Sequence, residues 1–117
     1  MVKTEKSKEK KILIKGKVNG EPMHTRYGGT SLPSDEVRFS IALTDDVVTK
    51  FKKPEPSMIP AGSNLVVTCT DPIYVRNGDH VELLGRIFKI ILSNGVVCHH
   101  VKTEYLFNVS LPFSFDY

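Results

Sequence analysis

A chain of 117 residues with 40% hydrophobic and 25% charged side chains has the size and make-up of one soluble domain with a single core. No apolar run approaches the roughly 18 residues of a membrane span. The charged N-terminus is followed by no hydrophobic segment, which predicts no secretory signal and a cytoplasmic location. The net charge of +3 hints at nucleic acid, but Lys3, Lys6, Lys8, Lys10 and Lys11 against Glu5 and Glu9 account for all of it. Residues 12–117 are balanced, so a phosphate-binding surface must come from the pattern of charges and not from bulk charge.

Residues 1–10 read as a disordered, charged tail and residues 11–111 as the domain. Residues 11–19, KILIKGKVN, alternate as a half-buried strand with Gly16 as a bend or bulge signal. Lys15 and Lys17 stand out from this strand, either as solvated lysines or as a basic stripe along a groove. Residues 20–35 carry Pro22, Gly28, Gly29 and Pro33 and are expected to form a long loop. His24, Arg26 and Tyr27 in it suit an arm that closes on a flexible polymer, although Tyr27 could equally pin the loop to the core. Residues 36–43, EVRFSIAL, form the clearest strand, with Phe39 inward and Arg38 and Ser40 outward. Thr44, Asp45 and Asp46 are expected to cap a short helical turn reaching about Phe51. Residues 52–62, with three prolines, read as a mobile loop beginning at Lys52 and Lys53.

Residues 65–70 form a short β-branched strand, and Ile73, Tyr74 and Val75 a second extended piece ending at Arg76. The organising stretch is residues 77–92, NGDHVELLGRIFKIIL. Its Asn-Gly pair is a turn signal. Val81, Leu83 and Ile87 share one side, yet Phe88, Ile90 and Leu92 share the other. A strand has a side-chain period of two, so this change of parity predicts a corner, and Gly85 is where it costs least. Residues 93–95 are a hairpin turn and residues 96–111 the last long strand, with Tyr105 and Phe107 expected in the core. Residues 112–117 leave the domain as a short tail. Five main strands, two long loops, little helix and bends at glycines predict an all-β, five-stranded Greek-key barrel of the OB type, with a sandwich as the alternative.

Three pieces of this pattern resemble the single-stranded DNA-binding proteins of bacteria and their phages. ILIKGKVNGEP is similar to that family's first strand, with its mid-strand glycine and Glu-Pro turn. Arg26-Tyr27, the glycines after them and EVRFSIAL are similar to its loop and second strand, and GDHVELLGRI is similar to its Gly-Asp…Val-Glu-x-x-Gly-Arg strand. The likeness covers most of residues 12–109 in order. The chain has no tryptophan; Ser63 and Cys69, or near neighbours, stand at the family's aromatic positions in the third strand. Residues 71–77 leave no room for its helix, and FSFDY lacks a long acidic tail. These departures fit a reduced, phage-type member.

The resemblance implies sequence-independent binding of single-stranded DNA in replication or recombination, and self-association into a dimer or tetramer. Single strands are gripped by cations along the backbone and by rings under the bases. The candidates are Lys15, Lys17, Arg38, Arg86 and Lys89 on strands, Arg26, Lys52 and Arg76 in loops, and the rings of Tyr27, Tyr74 and Phe88, the last of which could equally be core. Cys98, His99 and His100 do not converge as a metal site, since neighbours on a strand point to opposite faces. No catalytic set, phosphate-cradling loop or cofactor motif stands out. An OB-type module binding RNA or a protein partner is the alternative function.

Overall fold

The computed structural model describes residues 2–27, 34–70 and 75–110. The described residues form nine strands: β1 (Lys3–Lys6), β2 (Ile12–Val18), β3 (Met23–Tyr27), β4 (Ser34–Leu43), β5 (Val47–Lys50), β6 (Pro56–Ile59), β7 (Asn64–Cys69), β8 (His80–Ile91) and β9 (Val97–Asn108). Among them no helix is long and apolar enough to cross a membrane.

Alternation of branched apolar residues with polar ones drives β2, β4, β7 and β8 into half-buried strands. They close with β9 into a ring in the order β2-β4-β7-β9-β8 and back to β2. Every contact in the ring is antiparallel except β7 against β9, where Val66–Cys69 runs parallel to His100–Thr103. This is the five-stranded OB barrel, and the sandwich alternative falls away. Ile14, Ile41, Leu65, Val67, Leu83, Ile87 and Val101 fill the interior. Neither Cys69 nor Cys98 is in a disulfide.

The two mid-strand glycines serve close approach. At Gly16 a Cβ would lie 2.9 Å from Ile41 Cδ1 and 3.0 Å from Ala42 O. The register runs through Gly16 unbroken, so no bulge forms there. At Gly85 a Cβ would lie 2.6 Å from Lys102 O, and the ladder between β8 and β9 slips beside it: Leu84 pairs Tyr105, but Gly85 pairs Thr103. The extra residue is Glu104 on β9. The corner is therefore at Gly85 as expected, but the bulge belongs to the partner strand. On β8 itself Val81, Leu83, Gly85 and Ile87 all stay inward. Phe88 and Ile90 do not turn inward; β1 lies alongside them, pairing Lys6 with Phe88 and Thr4 with Ile90.

Four local expectations give way to pairing. Lys3–Lys6 is a strand and not disordered. Residues 20–35 are not one long loop, because Met23–Tyr27 pairs with Ser34–Arg38 as an extension of β4. The helical turn after Asp46 is absent: Val47, Val48 and Thr49 are β-branched, alternate inward and outward, and pair with β6. The proline-rich stretch is not irregular throughout, since Pro56 opens β6, a position where a strand loses no ladder donor. Asp46 accepts from the Ala61 backbone N–H at 2.7 Å, tying this hairpin's ends together, and Val47, Phe51 and Ile59 join the core.

Candidate nucleic-acid interface

The bulge at Glu104 decides which face the end of β9 presents. Thr103 is buried, its hydroxyl donating to Leu84 O at 2.5 Å and accepting from the Tyr105 N–H at 3.0 Å. That staple holds the extra residue in place, and the odd positions beyond it turn outward. Tyr105 is 55% exposed and Phe107 46% exposed. Both were expected in the core. Their run of odd apolar positions from Val101 onward looks like one unbroken face, but the bulge cuts it after Thr103.

On that outer face four strands set a row of side chains in register. Arg38 on β4 pairs Thr68 on β7, Thr68 pairs Lys102 on β9, and Lys102 pairs Arg86 on β8. With strands about 4.8 Å apart, the row crosses the barrel for about 14 Å at right angles to the strands. Lys10 and Lys11, just before β2, extend it. Lys10, Lys11, Arg86, Lys102 and Tyr105 line one groove of about 370 Å³, with Thr68, Thr70 and Glu36 along its wall. Lys11 Nζ lies 4.9 Å from the centre of the Tyr105 ring, and Lys102 Nζ lies 5.4 Å from that of Phe88. Arg86 Nε donates to Ser7 O at 2.8 Å. Beyond Tyr105 the face becomes apolar, with Leu13, Leu84 and Phe107 around a second depression of about 350 Å³. Cations beside exposed rings and aliphatic surface can hold phosphates and the flat faces of bases together.

Of the residues singled out from sequence, Arg38, Arg86 and Phe88 belong to this surface. Lys15 shares the outer face but lies 4.0 Å from Glu82, an exposed pair of small energetic weight. Lys17 is exposed farther along β2, between His80 and Ala42. Lys89 stands on the other side of the β8–β9 ribbon, its Nζ 5.6 Å from the centre of the Phe51 ring, in a depression shared with His99 and Met58. Lys52 is exposed in the turn between β5 and β6. Arg76 sits by the start of β8, where its Nε is 3.4 Å from Asp79 Oδ2. Arg26 and Tyr27 are on β3, opposite Asp35 and Ser34. Their side chains, and all of Tyr74, lie outside the described residues. Sequence reasoning missed Lys10, Lys11, Lys102, Tyr105 and Phe107.

Among the described residues the carboxyls of Glu9 and Asp79 and the imidazoles of His99 and His100 have shifted proton affinities. Burial would raise Asp79, but hydrogen bonds from the Asn108 amide and from the Arg76 backbone and guanidinium outweigh it and hold this carboxyl below the usual aspartate range. Burial first, then the charge of Arg38, lowers His100 beside the row. Burial, then Lys89 and His100, lowers His99. Cys98, His99 and His100 do not converge on one point, and no set of three metal-ligating side chains gathers among the described residues.

No protein-family model and no curated protein matches this chain. Among solved structures, the fold is similar to that of the small single-stranded DNA-binding protein from Streptomyces coelicolor, with a TM-score of 0.50 and 15% sequence identity over 86% of this chain and 94% of that one.

Proposed function

We propose that this protein binds single-stranded DNA without regard to sequence and serves replication or recombination. The observation that carries the reading is the row Arg38, Lys102, Arg86 and Lys11 beside the exposed ring of Tyr105. Cations placed across a barrel face meet a flexible backbone, and an exposed ring meets any base, because every base has a π-face. The similarity of fold to a single-stranded DNA-binding protein of Streptomyces coelicolor supports the same reading. Arg26 and Tyr27 belong to the proposal through the resemblance and Tyr74 as a candidate ring of the sequence; Lys15 and Lys17 are cations on the outward side of β2, and Lys52 is an exposed cation in the turn between β5 and β6. The protein acts as a binding module and not as a catalyst. It is a reduced, phage-type member of the single-stranded DNA-binding proteins, on the grounds that its sequence has no tryptophan and that residues 71–77 are too few for the family's helix. Association of copies into a dimer or tetramer is part of the proposal, supported by the resemblance and by the outer edge of β1, which pairs with no described strand. Sedimentation of the purified protein tests it.

The deciding experiment is titration of fluorescent oligo-dT, oligo-dA and a duplex of equal length at low salt. Both single strands bind and the duplex binds far more weakly; equal binding to duplex, or none to oligo-dT, rejects the proposal. Arg86→Ala lowers affinity for both single strands alike, by about tenfold, as expected of a phosphate contact.

A further inference from the structure

The arm of residues 3–11 is built into the cationic row, and Ser7 is where it is fastened. β1 zips against Phe88–Ile91, and the ladder continues one step further as the Ser7 N–H donates to Ile87 O at 2.8 Å. The next bond is made differently. The Ile87 N–H donates to the Ser7 hydroxyl oxygen at 3.1 Å, so the hydroxyl stands in for the backbone carbonyl. The carbonyl so released accepts from Arg86 Nε at 2.8 Å. The hydroxyl's own proton goes to Glu9 O at 2.8 Å, which turns the chain away from β8. Ser7 is 0% exposed although it lies in a run of lysines and glutamates.

Past Ser7 the arm is tied to β5, where the Lys8 N–H donates to Lys50 O at 2.8 Å and the Thr49 hydroxyl donates to the Glu9 carboxylate. That bond is the first reason the Glu9 carboxyl is held below its usual range. The chain then returns to the groove, bringing Lys10 into its wall and Lys11 over Tyr105. Arg86 is a long side chain with several rotatable bonds, and an unrestrained one would lose much of its freedom on meeting a phosphate. Engaging Nε restrains it beforehand, while its terminal nitrogens, which fork onto phosphate, have no partner among the described residues.

We propose that Ser7 is a positioning residue for the nucleic-acid face: it aims the Arg86 guanidinium and seats Lys10 and Lys11 in the groove. The proposal rests on the single-stranded DNA reading above. A serine needed only to keep the fold would affect stability without linking specifically to Arg86.

The test is a double-mutant cycle on oligo-dT binding with the full chain: wild type, Ser7→Ala, Arg86→Ala and the double variant, each titrated over a range of salt. Ser7→Ala is expected to weaken binding about three- to tenfold and to flatten the salt dependence. Adding Ser7→Ala to Arg86→Ala is expected to cost clearly less than it does in the wild type. Full additivity, or a Ser7→Ala variant that binds like wild type while Arg86→Ala does not, overturns the positioning role and leaves the function standing. A wild type that binds no oligo-dT overturns both. If Ser7→Ala does not fold, hydrogen exchange of the Arg86 Nε–H in the wild-type protein decides. Slow exchange, faster in a Glu9→Ala variant whose arm is loosened, supports the arm as the restraint; exchange as fast as that of an exposed arginine overturns it.

Discussion

Tyr105 is a large ring kept in water by a neighbour's hydroxyl. Thr103 uses its one proton and its lone pairs to hold the bulge, and the ring follows the backbone outward. Because the ring is exposed, Tyr105→Ala should leave thermal stability within about 0.5 kcal/mol of wild type. It should still weaken oligo-dT binding by roughly 5- to 150-fold, the equivalent of about 1–3 kcal/mol for one stacked base. Phe39→Ala is the opposite case. This ring is buried, and its loss should cost about 3–5 kcal/mol of folding stability, read by chemical denaturation. Asp79 gives a pH signature. Its carboxyl is held below its unfolded value, so the stability it contributes is present above about pH 4 and is lost as pH falls through the lower, folded value. Thermal melts taken from about pH 6 to about pH 2 should show a steeper acid loss in wild type than in Asp79→Asn, which cannot titrate.

At the scale of elements, β8 and β9 define the site by the way they mismatch. Gly85 admits the backbone of Lys102, and Glu104 takes up the length that the bend on β9 requires. Gly85→Ala would drive a methyl onto Lys102 O, and a shift of β9 there moves Lys102 and Tyr105 together. It should destabilise the fold by about 1–3 kcal/mol in urea titration and also weaken oligo-dT binding by the protein that remains folded. The alternation of β2, β4 and β8 was legible in the sequence, as were the Asn-Gly turn and the corner at Gly85. The bulge was not, because Val101, Thr103, Tyr105 and Phe107 keep an unbroken odd spacing while the backbone changes face under them. The pairing of β3 with β4 was hidden because the glycines and prolines of residues 20–35 read as a loop, and the hairpin of β5 with β6 because the prolines of residues 52–62 read as strand breakers although Pro56 opens a strand. β1 was hidden because KTEK has no apolar side; what fixes it is the backbone of β8 and the buried Ser7.

For the whole molecule, the cationic row is a product of closure. Lys11, Arg38, Arg86 and Lys102 come from four separate strands or their approaches, and only the register of the barrel places them side by side. The sequence displayed Arg38 and Arg86 as outward cations but held nothing to say that they share a row with Lys102, or that Lys89, three positions from Arg86, faces away. A single strand lying across four such cations should show a log–log salt slope near −3, about 0.7 per phosphate neutralised, so raising salt fourfold should weaken binding by about 50-fold. A slope near zero would mean that the row meets no phosphates.

The parallel seam between β7 and β9 sets the order in which this chain can mature. Val66–Cys69 must wait for His100–Thr103, so during synthesis the hairpins upstream emerge as an open, half-covered sheet, and the ring shuts only when the C-terminal strand has left the ribosome. Lys102, which completes the grip on phosphate, arrives in that same last segment.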